Sequence, residues 1–371
     1  MLLLKGWSPY SQQTTNEIQK MAYGRAARSD EDQMLFVYPL YSTLVVAPVA
    51  LIDNYALARA IWMTILEVAL VLLTVASISL TRWKLPAWLL LLIILFSVLW
   101  YHGLRPVVNG NLSVIVALFV VLAFLALRSE QDAWAGLLLA LSTIKPQMVI
   151  LLIVFVCLWA ISRRRWTIII SFFGSLVILI VATSLFIPDW VIQNLRQVLS
   201  YPGYTLPGTP GAILAELMPG VGNRLGWFIT GIVAIILVFE WWAAWGKDFR
   251  WFLWTACLTL VITNLIGIRT ATENYAILFV VLILIFGFWD ERWKPVGRWV
   301  LLFSMVSLFF GLWALFLKTL KPGAQPIQSP IMFFPLPVFL LIGLYWVRWW
   351  ATRPPILLID QIKSGQEEEL G

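Results

Sequence analysis

The chain has 371 residues, of which 61% are hydrophobic and only 12% charged, and its formal net charge is +7. Soluble domains carry about twice that charged share, and the Lys and Arg residues sit in short clusters between apolar runs, so neither a soluble multidomain enzyme nor a nucleic-acid-binding surface fits. The composition predicts an all-α fold: one polytopic transmembrane helical bundle.

Taken in order, residues 1–36 are polar and mixed in charge and predict a loop outside the membrane. Residues 37–51 are apolar but broken by Pro39 and Pro48, which predicts a helix lying on the membrane surface. Apolar runs follow near 55–80, 86–101, 111–128, 133–145, 146–162 and 167–187. They continue near 225–246, 251–267, 275–289, 299–317 and 332–350, and predict about eleven spans. Between them, 188–223 predicts an outer loop with a short amphipathic helix from Trp190 and a turn-rich stretch from Tyr201. Residues 1–353 form one transmembrane unit in this reading, and 354–371 an acidic cytoplasmic tail.

Many of the 22 tryptophans flank the apolar runs, where their rings prefer the headgroup layer. Arg163, Arg164, Arg165, Lys247, Arg250 and Arg292 stand in connections on the side that also holds the C-terminus, so that side is expected to be cytoplasmic. An odd number of spans then puts residues 1–36 outside, and either a short, nearly neutral tail crosses unaided or, the favoured expectation, an upstream helix carries it across. Cys157 and Cys257 both fall inside apolar runs, which argues against a disulfide or metal site. The single histidine, His102, excludes a histidine-based metal centre, and no P-loop is present.

Function should sit where polar residues interrupt the apolar runs. Ser142-Thr-Ile-Lys145-Pro146-Gln147 joins two short apolar stretches. Thirteen helical residues rise about 20 Å, less than a hydrocarbon core of about 30 Å, so the Lys145 apex is expected below the outer surface. A lysine there needs water or an anion, and a phosphate fits; snorkelling to the interface is the structural alternative. Gly267-Ile-Arg269-Thr-Ala-Thr-Glu273-Asn274-Tyr275 joins two further spans. Arg269 and Glu273 could simply pair at i,i+4, or Arg269 could hold an anion while Glu273 or Asn274 meets hydroxyls. His102-Gly-Leu-Arg105 and Asn109-Gly110-Asn111-Leu-Ser113 enter another span, where the amides read as caps or as sugar contacts. Glu67 lies within the first span and Arg59 near its outer end. Asp30, Glu31 and Asp32 form an acidic run in the first loop, ordinarily a solvated feature.

These segments together resemble glycosyltransferase family 87, membrane enzymes of the GT-C class that use polyprenyl-phosphate sugars. The likeness runs through Gly6-Trp-Ser-Pro9-Tyr10, Tyr38-Pro39 with Pro48, Asn109-Gly110-Asn111 and Ala135-Gly136 to Lys145-Pro146, followed by Arg163-Arg-Arg-Trp. Two positions depart from the family pattern: Asn111 replaces a glutamine and Leu40 a second proline. The family's first transmembrane helix and the aspartate after it would lie upstream of Met1. The resemblance implies transfer of a hexose, mannose foremost, from a polyprenyl-monophosphate donor to a glycolipid or polysaccharide acceptor at the outer face of a bacterial plasma membrane, without a cofactor. Lys145, Arg269, Arg59 and Arg105 are then candidates for the donor phosphate, and Tyr38, Asn111 and Asn274 for sugar or acceptor. Asp30, Asp32 and Glu273 are the weak candidates for a catalytic carboxylate. A transporter or flippase of lipid-linked sugars is the competing class, and a non-catalytic relative that binds lipid phosphate is a third.

Overall fold

A computed structural model describes residues 6–28, 31–200, 210–266, 271–320 and 329–353. Every regular element among them is a helix. The helices are α1 (Gln12–Tyr23), α2 (Thr43–Ala50), α3 (Tyr55–Thr81), α4 (Ala87–Leu99), α5 (Tyr101–Val108), α6 (Ser113–Arg128), α7 (Asp132–Ser142) and α8 (Pro146–Ser162). They continue as α9 (Trp166–Ser184), α10 (Trp190–Ser200), α11 (Pro210–Leu217), α12 (Gly222–Ala243), α13 (Phe249–Thr263), α14 (Phe279–Arg292), α15 (Val296–Thr319) and α16 (Pro335–Thr352). A 3-10 turn at Thr272–Leu278 leads directly into α14.

All eleven expected apolar runs are helical, but fewer helices than expected reach spanning length. Six among the described residues are long and apolar enough to cross a membrane, and a seventh arises if α4 and α5, bent by 50° at Trp100, count as one span. Helices α6, α7, α8 and α13 have only 16, 11, 17 and 15 residues. The shortfall has a local cause at α7. The ring of Pro146 disfavours helical backbone at the residue before it, and Lys145 accordingly takes φ −126°, ψ 79° and starts the next helix. The expected surface helix is a turn at Leu40–Ser42 followed by α2, whose eight residues are all at least partly exposed.

Two helices lie where polar loop was expected. Helix α1 is capped by Ser11, whose side chain accepts from the Thr14 N–H, and ends on Gly24 at φ +71°, a conformation that suits glycine. Helix α11 opens on Pro210, a position where the missing N–H costs nothing.

The span made by Thr272–Leu278 and α14 has 94% of its apolar window buried, whereas α12 and α9 have 11% and 17%. A helix that is apolar all round belongs at the centre of a bundle. Thus α14 is the axis, packed by α3, α13, α15 and α16, while α9 and α12 stand at the periphery with apolar faces turned outward. Helices α7 and α9 touch closely at Gly136, where an added Cβ would stand 2.6 Å from the Ile168 carbonyl oxygen and 2.7 Å from the Phe172 nitrogen. At the end of the bundle opposite the Lys145 turn, Arg165 pairs with Asp132. There too, buried Asp290 accepts from Arg298 Nε at 2.9 Å and Trp83 Nε1 at 3.0 Å.

Candidate functional site

Four segments meet where α14 begins: the α7–α8 turn, the α5–α6 turn, the 3-10 turn at Thr272–Leu278, and the strap around Tyr38. The first three interrupt apolar helices and the fourth is non-helical chain laid over them, so each brings backbone and side-chain polarity to a place the bundle would otherwise fill with carbon.

Lys145 is the centre. It is only 2% exposed. Its Nζ donates to Asn111 Oδ1 at 2.7 Å and to Asn274 Oδ1 at 2.6 Å, and it lies 5.5 Å from the centroid of the Tyr38 ring, within cation–π range. Asn111 is fixed in turn, because its Oδ1 also accepts from the Ser113 N–H at 3.0 Å. The strap that covers the lysine is pinned twice: the Tyr38 carbonyl accepts from Tyr10 Oη at 2.7 Å and from Asn194 Nδ2 of α10 at 2.9 Å. Tyr41 shares a 2.8 Å hydrogen bond with Thr143 Oγ1 on the α7–α8 turn.

A second cluster adjoins the first along the chain. Glu273 Oε1 accepts from Asn109 Nδ2 at 3.0 Å and lies 3.7 Å from an Arg105 guanidinium nitrogen. The Glu273 carbonyl accepts from Ser113 Oγ at 2.8 Å. His102, fully buried, holds the Thr272 carbonyl through Nδ1 at 2.9 Å. The turn linking the clusters carries Gly110 at φ +64°, a conformation that side chains disfavour, and its carbonyl accepts from Trp62 Nε1 at 2.9 Å.

On the other side of that turn a cavity of about 440 Å³ opens between α2, α3 and the α5–α6 connection. It is mostly apolar, lined by Val46, Val49, Trp62 and Met63, with Arg59 and Asn109 as its polar members.

The structure therefore joins Lys145, Tyr38, Asn111 and Asn274 in one contact set. Arg105 and Glu273 form a neighbouring one, and Arg59 stands apart in the cavity wall. Asp32 is exposed, and its carboxylate accepts from the Met34 N–H at 2.9 Å in a local turn. Beside it, the Arg25 hydrogen bond holds the Glu31 carboxyl down at about 2. Arg269 and Asp30 lie outside the described residues. Sequence reasoning gives no site role to Tyr41, Thr143 or Asn194, and it offers Asn109 only as a cap or a sugar contact, not as a partner of Glu273.

Chemically, the first cluster is a desolvated cation whose direct partners are neutral. Among the described residues no carboxylate is within hydrogen-bond distance of Lys145. Two amide oxygens solvate an ammonium without cancelling its charge, so the field remains available to an anion that reaches it.

A family model described as glycosyltransferase family 87 matches residues 36–268, more than half of the chain. The match takes in the Tyr38 strap, the Asn109–Ser113 turn, Lys145 and α10. No curated protein and no solved structure matches the chain.

Proposed function

Because the chain belongs to glycosyltransferase family 87 and is therefore a membrane glycosyltransferase, we propose that it moves a hexose, mannose foremost, from a polyprenyl-monophosphate donor to a glycolipid or polysaccharide acceptor at the extracytoplasmic face. The observation that carries this reading is the buried Lys145 ammonium, held by two neutral amides where three helix breaks meet the Tyr38 strap. Burying a charge whose direct partners are neutral is costly, and a group that receives an anionic headgroup repays the cost in function.

In the proposed reaction an acceptor hydroxyl oxygen attacks the anomeric carbon and its proton passes to a carboxylate. The bond from that carbon to the phosphate oxygen breaks, and polyprenyl phosphate leaves with the electron pair. Lys145 stabilises the charge that grows on the phosphate, and Arg269 and Arg105 assist. Cations aimed at a leaving group act most strongly where water is excluded. Asn111 and Asn274, released from Lys145 as the phosphate arrives, turn their amides to sugar hydroxyls, and Tyr38 must swing aside to admit the donor. The cavity beside Arg59 takes the apolar end of the donor next to its phosphate. Glu273 is the carboxylate best placed for the proton, since it directly precedes Asn274 in the site.

The test is transfer of labelled sugar from polyprenyl-phosphate hexose in membranes containing the chain. Transfer that Lys145→Met abolishes supports the reading, and transfer that survives it defeats the assignment of the phosphate site. A flippase reading draws on the 50° break between α4 and α5, since transporters carry broken helices near the midplane. It predicts movement of the lipid-linked sugar across the bilayer with no new glycosidic bond.

A further inference from the structure

Glu67 is the thirteenth of the 27 residues of α3. At 1.5 Å per residue it stands about 18 Å from one end of that helix and about 21 Å from the other, close to the middle of the hydrocarbon layer. Its side chain is exposed on the outer surface of the bundle. Among the described residues its carboxylate has no hydrogen-bond or ion-pair partner. Carboxylates at that depth are rare, and they ordinarily turn toward the bundle interior or a watery cavity. This one is exposed and is not among the residues that line the cavity beside Arg59.

The residues around it suit a close neighbour. Ala60, Thr64 and Glu67 lie at i, i+4 and i+7, on one face of α3, and all three are exposed. Ala56, one turn further, is exposed as well. The Thr64 hydroxyl is already satisfied by the Ala60 carbonyl at 3.0 Å, so it presents its methyl group and little bulk. Small residues at such spacing let a second backbone approach, which is how helices associate where there is no water to drive them together.

We propose that this face of α3 docks a transmembrane helix of another protein that carries a lysine or arginine at mid-bilayer depth. Charge complementarity selects that occupant. A second copy of this chain meeting the face symmetrically would set one Glu67 carboxyl against the other and supply no cation. Lipid tails offer no donor. Glu67 neither touches Lys145 nor lines the cavity beside Arg59 and takes no part in the proposed transfer, so the two readings succeed or fail separately.

The experiment reconstitutes the full chain in bilayers with a labelled leucine–alanine transmembrane peptide bearing one central lysine, and in parallel with a peptide bearing leucine there. Energy transfer reports association. The lysine peptide should bind about tenfold more tightly, the preference should vanish in Glu67→Leu, and sugar transfer by that variant should be unchanged. Equal binding of the two peptides would overturn the proposal, as would a lysine preference that persists in Glu67→Leu. Self-association of the chain that depends on Glu67 would also overturn it, by assigning the face to a second copy.

Discussion

Replacing Lys145 by methionine separates a lysine kept for catalysis from one kept for folding. Methionine is close in length and volume, so the packing under Tyr38 survives. The change removes two hydrogen bonds to a charged donor, at 2.7 and 2.6 Å. Such bonds contribute about 1.5–3 kcal/mol each, so about 3–6 kcal/mol is lost. It also removes a buried ammonium, whose desolvation opposes folding by several kcal/mol. The two terms have opposite sign and similar size, and net stability should change by no more than about 2 kcal/mol. Transfer has no such compensation. Loss of a preorganised group that stabilises developing charge costs about 100- to 1000-fold, or about 2.7–4 kcal/mol of barrier. Thermal unfolding of the purified protein and transfer from polyprenyl-phosphate hexose, measured on the same preparation, give both numbers. A variant that transfers sugar within threefold of the parent would refute the argument. So would one whose lost activity is matched by lost folding.

Three other outcomes follow from the geometry. Tyr38→Ala uncovers Lys145, and amine-reactive labelling at that lysine, read by mass spectrometry, should rise several-fold, with a smaller rise in Asn194→Ala because only one of the two pins on the strap is lost. Gly136→Ala drives a methyl group into α9 backbone that cannot rotate away, and the thermal midpoint should fall by the equivalent of about 1–3 kcal/mol. The Glu31 carboxyl, held at about 2 in the folded chain by Arg25, favours the folded loop above its usual range near 4.5, and that contribution disappears as pH falls toward 2. The protection factor of the Arg28 amide, which donates to Glu31 at 2.8 Å, should therefore fall on acidification, and Arg25→Ala should shift that fall to higher pH.

The parts of this molecule that were legible in the sequence are those fixed by local rules. Apolar runs became helices, and the proline after Lys145 split two of them where expected. The amphipathic stretch from Trp190 became α10. Local rules also misled. The first 36 residues were polar enough to read as loop although Ser11 and Gly24 bracket a helix, and the turn residues before Ala212 hid α11. Only six or seven of the about eleven expected spans are helices of spanning length among the described residues, because a run of 11 to 17 apolar residues looks the same in sequence as part of a longer one. The site itself was only half visible. Lys145, Asn111 and Asn274 each stood out as polar groups in costly places, yet nothing local says that residues 34 and 129 positions away will accept hydrogen bonds from one ammonium. Reading the amides as sugar contacts and the lysine as a phosphate contact left no reason to pair them. Arg105 and Glu273 were likewise singled out separately and lie together. The role of Asn194 in pinning Tyr38 has no sequence signature, since it depends on how α10 settles over the strap.

The axial position of α14 bears on how the protein is made. Ribosomes deliver helices in order, and this one arrives after α3 through α13 have emerged. Those earlier helices must leave a vacant shaft for it and cannot close into a finished bundle beforehand. The same late arrival brings Thr272, Glu273 and Asn274 at its leading edge. Until then Lys145 has Asn111 but lacks its second amide, so a nascent chain halted before residue 272 would hold an unfinished anion site. Arrival of the bundle's axis and completion of the site are one event.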